Sequence, residues 1–327
     1  MKRNIVWVLF ALLVLGSCSE DFQLTEEWKD IPVVYGFLNR TDTAQYIRVE
    51  KVFVSEDIPA TQIALIPDSL YYKNVIVKLF NKTVNKEYTL QKVDANLEGY
   101  PRAAGPFATA PNYLYKILTK DMILRGGDSI ILSIDRGDLK PIIYARISMI
   151  KDVKFFIPDT TTRQLNINPT RSQSFSWSDN GGNAKIFDLD MTINIEETDL
   201  NTNKVMLKKI ETNLLKSDFG TSVLYKGESF FTLLKNSLEV APNLERRIKS
   251  IVLELKAGGI ELKENTLIIN ANTGITASQE IPRFSNISEG FGLFSSIHTA
   301  RRSLTIDIET LGFLQTNDLT RQLNFKL

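Results

Sequence analysis

The chain has 327 residues, of which 43% are hydrophobic and 24% charged, the balance of a polypeptide that buries a core and folds. Its formal charge is only +1, and with no extended basic run it offers no nucleic-acid-binding element. A single cysteine, Cys18, and a single histidine, His298, exclude disulfides and multi-histidine metal sites and leave any Ser-His-Asp triad dependent on one residue.

At the amino terminus Lys2 and Arg3 precede an uncharged apolar run from Ile5 to Leu15, which is too short for an ordinary membrane-spanning helix. Leu15-Gly16-Ser17-Cys18 follows where a signal peptide is cut. This tetrapeptide resembles the bacterial lipobox, which implies a signal at 1–17, acylation of Cys18 and a tether over 18–30. Cleavage there leaves 310 residues, with 37 basic and 38 acidic side chains once Lys2 and Arg3 are gone. That length suggests two domains. Ser19-Glu20-Asp21 resembles the acidic signal that sends Bacteroidota lipoproteins to the cell surface, so the expected location is the outer membrane, lipid-anchored and exposed outside.

The first folded element is expected at Pro32 to Phe37, where apolar and β-branched residues begin. Further strands are read at Tyr46 to Val54, Asn74 to Phe80, Glu87 to Gln91, Tyr113 to Leu118 and Ser129 to Ile134, with turn signals at Arg125-Gly126-Gly127-Asp128 and Arg136-Gly137-Asp138. This spacing suits an immunoglobulin-like sandwich over 31–145. A junction is expected near 140–172, followed by a second sandwich over 146–327.

In that second part, Phe175-Ser176-Trp177 and the loop Ser178 to Asn183 read as an opening hairpin. The clearest alternation follows, with Leu189, Met191, Ile193 and Ile195 on one face and Asp188, Asp190, Thr192, Asn194 and Glu196 on the other. Phe230, Leu233, Leu234 and Leu238 are near helical spacing with Pro242 beyond, which predicts one short helix near 230–240. Strands are expected again at Ser250 to Leu255, Glu261 to Lys263, Leu267 to Asn270 and Leu304 to Ile308. The predicted class is therefore mainly β, with two immunoglobulin- or fibronectin-like sandwiches and one helix in the second.

Three stretches carry a family resemblance: Val33 to Leu38 with Tyr46 to Lys51, then Phe175-Ser176-Trp177, then Asn286-Ile287-Ser288-Glu289-Gly290-Phe291-Gly292-Leu293-Phe294-Ser295-Ser296. Together they resemble an uncharacterised Bacteroidota outer-membrane lipoprotein family, a domain of unknown function often associated with TonB-dependent transporters. The resemblance implies a neighbourhood, an outer-membrane transporter or other envelope protein, and brings no catalytic residues with it.

Few motifs point to chemistry. Gly290 and Gly292 alternate with apolar residues and read as a turn into a strand; the alternative is a ligand loop in which Phe291 and Phe294 stack on a sugar or apolar ligand. His298 lies beside Ser295, Ser296 and Thr299, but sequence adjacency does not make a triad. The pairs Asp188 with Asp190 and Glu196 with Glu197 have the residue types of a glycosidase or calcium site, yet such pairs recur by chance among 38 acidic residues. Arg246-Arg247 and Arg301-Arg302 read as solvated surface pairs. Asp42-Thr43-Ala44, Asp68-Ser69-Leu70 and Asp128-Ser129-Ile130 resemble O-glycosylation acceptors of secreted Bacteroidota proteins. The reading is a non-enzymatic binding or accessory lipoprotein with no cofactor, no metal and no catalytic residue. Its candidate residues are Cys18 for lipidation and Phe291 and Phe294 for binding; a structural or adhesion role and a carboxylate hydrolase are the alternatives.

Overall fold

The computed structural model describes residues 31–52, 59–137, 139–271 and 283–326. The expected signal at 1–17, Cys18 and the tether at 18–30 lie outside the described residues. From Ile31 onward the chain clusters as one compact unit.

In chain order the strands are β1 (Pro32–Asn39), β2 (Ala44–Lys51), β3 (Ile76–Asn81), β4 (Lys86–Thr89), β5 (Gln91–Asp94), β6 (Tyr113–Leu118), β7 (Ser129–Asp135) and β8 (Ile143–Ser148). They continue as β9 (Lys154–Ile157), β10 (Gln164–Leu165), β11 (Ser172–Ser178), β12 (Ile186–Asp199), β13 (Val205–Asp218), β14 (Ser222–Lys226), β15 (Leu244–Gly258) and β16 (Phe291–Ile306). Among the described residues three helices of nine residues or more interrupt this β chain: α1 (Gly227–Ser237), α2 (Ile260–Ala271) and α3 (Ile308–Thr316).

The fold is mainly β, as expected. One long sheet runs β13-β12-β15-β16-β1-β2-β6-β5, with β10 added against β16. A four-stranded sheet, β4-β3-β7-β8, and a three-stranded sheet, β14-β11-β9, complete the layers. Inward residues of β1, β2 and β6 (Val34, Leu38, Ile47, Val49, Tyr115) meet Val77, Leu79, Ile130, Leu132 and Ile134 of the four-stranded sheet in one core. A second core joins Leu189, Met191, Ile193 and Ile195 of β12 and Ile251, Leu253 and Leu255 of β15 to Phe175 and Trp177 of β11. Phe230, Phe231 and Leu234 of α1 and Leu311 and Leu314 of α3 pack into that second core.

Apart from Ile287 and Phe294, the first core draws on residues up to Met149, and the second begins at Ile150. The long sheet nevertheless passes through both, because β16 pairs antiparallel with β15 and parallel with β1, with Val33 opposite Phe291 and Asn39 opposite Ile297. Phe294 and Ile287, late in the chain, belong to the first core.

Three local expectations change. The segments 261–263 and 267–270, read as strands, form the single helix α2. Leu262 and Thr266, four apart, meet the sheet on one helical face, and the chain can approach because residue 258 is glycine: a Cβ there would lie 2.7 Å from Leu262 Cδ1 and 2.9 Å from Ile186 Cγ2. Of the strand expected at Leu304 to Ile308, the first three residues form the end of β16, which stops at Ile306; Asp307 then caps α3 by accepting from the Thr310 N–H at 2.8 Å. The single helix expected in the second part is thus joined by two more.

The loop after Trp177 closes no hairpin. β11 pairs with β9 and β14, whereas β12 pairs with β13 and β15, so residues 179–185 cross from one layer to another. The Trp177 and Phe187 rings, with centroids 5.5 Å apart, pack across that crossing. Asn180 and Gly181 still form a tight turn, with φ +51° and +64° and the Gly182 N–H donating to the Asp179 carbonyl at 2.9 Å, but it links two layers instead of two paired strands.

Candidate binding face

Within the Asn286–Ser296 motif Ser288, Glu289 and Phe291 are exposed, whereas Ile287 and the run from Gly292 to Ser296 are buried. Asn286 takes over where β15 stops pairing: its Nδ2 donates to the Phe294 carbonyl at 2.6 Å, and its Oδ1 accepts from the Phe294 N–H at 2.9 Å. Gly292 has φ +128°, and a Cβ would lie 1.8 Å from the Val34 carbonyl oxygen, so only glycine fits there. Ser288 and Tyr144 exchange bonds, the Ser288 N–H to the Tyr144 carbonyl at 2.9 Å and the Tyr144 N–H to Ser288 Oγ at 2.7 Å. The motif fastens β16 to β1 and β8.

Phe294 is 0% exposed inside the first core. It cannot stack on a ligand without leaving that core, so the expectation of a binding role for Phe294 is corrected: inward parity on β16 makes it a packing residue. Phe291, three residues earlier, points outward and is 42% exposed.

Phe291 shares its face with two aromatics of the neighbouring strand. Tyr35 (48% exposed) and Phe37 (39% exposed) project from β1, two and four residues along from Val33, the register partner of Phe291. Strand rise is about 3.3 Å per residue, so register sets the three aromatics along one face of the β1–β16 pair, with the buried Leu293 opposite Tyr35. Arg48 of β2 is opposite Tyr35, and Tyr46, two residues earlier, shares its face. Tyr46 meets Tyr100 edge to face at 5.3 Å, and the Lys116 ammonium lies 5.8 Å from the Tyr46 ring centre. Lys116 also pairs with Glu98 and holds that carboxyl below its ordinary range.

Charges border the strip. Arg48 Nη1 donates to Glu50 Oε1 at 2.8 Å and to Asn112 Oδ1 at 3.0 Å, and Arg102 pairs with the same Glu50 oxygen. At the other end Phe37 opens onto a cleft of about 260 Å³ under α2, lined by Ile186, Gly258, Leu262, Thr266 and Ile297. This arrangement offers apolar area with a polar border, the form of a recognition surface.

The other chemistry-bearing residues are occupied. His298 is 7% exposed; its Nδ1 accepts from the Val153 N–H at 3.4 Å, and its Nε2 lies 3.7 Å from Asp152. Burial, with Arg40 nearby, lowers its pKa. Ser296 shares its face but accepts from the Ile150 N–H at 2.8 Å and donates to the Ser148 carbonyl at 3.0 Å. Ser295 faces the opposite side and donates to Glu261 Oε2 at 2.9 Å. Asp188 accepts from the Ser217 N–H, and Asp190 accepts from Asn213 Nδ2 at 2.8 Å and pairs with Lys256 at 3.1 Å.

Glu196 pairs with Lys249 at 3.3 Å, whereas Glu197 turns inward to Arg246 at 2.7 Å. Arg246, expected at the surface, is 1% exposed and also donates to the Leu323 carbonyl at 2.9 Å. Of the glycosylation-like hydroxyls, Ser69 bonds two carbonyls at 2.6 Å, while Thr43 is exposed. Among the described residues no group of three or more metal-ligating side chains is present, and no helix is long and apolar enough to cross a membrane.

Neither a family model nor a curated protein matches this chain. Among solved structures it aligns with a two fibronectin type-III domain segment from chicken tenascin at 7% identity and a TM-score of 0.19, over 85% of this chain and 99% of that one. The fold described above rests on the strand pairing itself.

Tyr35, Phe37, Tyr46 and Tyr100 were not singled out as binding residues in the sequence. Alternation on β1 is legible, with Val34 and Leu38 inward and Tyr35 and Phe37 outward. That Phe291 lies beside them depends on a parallel pairing between the two ends of the chain, for which no linear signal exists.

Proposed function

We propose that this protein is a lipid-anchored binding or accessory component of a bacterial outer membrane, and that it docks on a membrane-embedded protein of the same envelope through the Tyr35–Phe37–Phe291 strip. The observation that carries this reading is the exposure of three aromatics on adjacent strands within a charged border. Aromatic anchors with a polar rim are the usual composition of energetically important contact sites. No cofactor or catalytic step enters the reading.

The choice of partner follows from chain length. Cys18 to Asp30 is 13 residues, which span at most about 45 Å when fully extended. The described chain resumes at Ile31, and Pro32 opens β1 at the Phe291 end of the strip. If acyl chains on Cys18 hold the protein at the bilayer, the aromatic face stays within reach of proteins embedded there. A transporter rim is a suitable target.

The experiment is a gentle-detergent pull-down of the acylated protein from native outer membranes, with mass spectrometry of the partners. Two controls accompany it, Cys18→Ser and the triple variant Tyr35→Ser, Phe37→Ser, Phe291→Ser. A membrane protein recovered with the wild type and lost with both controls supports the reading. A wild-type preparation free of partners overturns it.

A further inference from the structure

β13 is the last strand of the long sheet and pairs only with β12. It runs fourteen residues, Val205–Asp218, and among the described residues its second edge makes no backbone pairing. A long open edge is a template for another strand, so proteins usually shorten, charge or bulge it. Here Leu214 is the extra residue between Asn213, opposite Asp190, and Leu215, opposite Leu189. That bulge interrupts the far end but leaves Leu207 to Asn213 regular.

The charges within the regular stretch are self-complementary. Lys209 and Glu211 both face outward, flanking the inward Ile210; they are 62% and 64% exposed and pair with each other within the strand, a pair that a second copy would exchange for two pairs between chains. Consider a second β13 laid antiparallel with a two-fold axis through Ile210. Ile210 then meets Ile210, each Lys209 meets a Glu211, Lys208 meets Thr212, and Leu207, 80% exposed alone, meets Asn213. A continuous sheet keeps outward residues opposite outward ones, so the axis passes through a residue and never between two. Centred on Lys209 or Glu211, it would place like charges directly opposite, which is unfavourable. Charge therefore favours the Ile210 register over those centred on Lys209 or Glu211, and it is the register that pairs each Lys209 with a Glu211.

We propose that two copies of this chain associate through β13, antiparallel about Ile210, joining their long sheets edge to edge. A ladder of this length covers less than the roughly 1,200–2,000 Å² of a stable interface, so association is weak in dilute solution. Confinement on a membrane raises the effective concentration and strengthens it. That strengthening rests on the lipid anchor proposed above; the pairing itself does not.

Full acylated chain made separately with ordinary and heavy nitrogen is mixed, reconstituted into vesicles and treated with a zero-length carbodiimide. The expected product is an isotope-hybrid cross-link between Lys209 and Glu211, which only two copies can give. With an amine-to-amine cross-linker, Lys209→Glu and Glu211→Lys should each lower the dimer yield by about fivefold or more, and the double exchange should restore it. Hybrid links that are absent, while same-isotope links form, overturn the proposal. Failure of the protein to float with the vesicles refutes the anchor instead, and the same cross-linking at high concentration in solution then decides the pairing.

Discussion

Replacing Phe294 with alanine removes a fully buried ring from the first core, and the cost expected in urea unfolding is about 3–5 kcal/mol. Phe291→Ala, at a half-exposed position on the same strand, should cost less than about 1.5 kcal/mol. Equal losses at the two sites would contradict the strand parity. His298 makes a second prediction with a defined sign. Burial and Arg40 hold its folded pKa below the ordinary value of 6.5, so the unfolded chain takes up the proton first as pH falls. Its contribution to stability is therefore intact above about pH 6.5 and is lost as pH falls from there towards the folded value. Unfolding curves of the wild type and His298→Gln should differ in slope across that window, the variant being flatter; parallel curves would show that the imidazole does not titrate on unfolding.

At the scale of elements, Asp307 ends one structure and begins another. Asp307→Ala should cost about 1 kcal/mol by removing the cap of α3, and Asp307→Asn should recover most of it in the same thermal melts. The boundary was hidden in the sequence because Leu304 to Ile308 continues the apolar character of β16. β6 and β12 were readable: the first is a compact run of aromatic and aliphatic residues, and the second alternates strictly over ten residues. α2 was not, since Leu267-Ile268-Ile269 looks strand-like, and the helix-forming Glu261-Leu262-Lys263-Glu264 before it is too short a signal to outweigh that run. Arg246 was misread for a related reason. Two adjacent arginines look solvated, but on a strand they occupy opposite faces, and the inward one persists because Glu197 and the Leu323 carbonyl receive it. The candidate site was half legible: Phe291 was visible as an aromatic beside glycines, while Tyr35 and Phe37 gained meaning only from their spatial neighbour.

For the whole molecule, one sheet crossing two cores predicts coupled unfolding. In a chain from Cys18 onward carrying Trp28→Phe, tryptophan fluorescence follows Trp177 in the second core, and far-ultraviolet dichroism follows the strands of both. The two probes should give coincident urea transitions. A fragment ending at residue 145 should remain unfolded, because it lacks the β16 pairing of β1 and the Phe294 and Ile287 side chains that complete its core. A folded fragment or separated transitions would show two independent halves. The position of β16 also has a temporal consequence. A chain crossing a membrane amino end first delivers Val33 long before Phe291, and β1 has no parallel neighbour until the last tenth of the polypeptide has emerged. Contacts so distant along the chain close slowly, so a chain exported in that direction, as the proposed anchor would require, gains its β1–β16 lock only after nearly all of it is across.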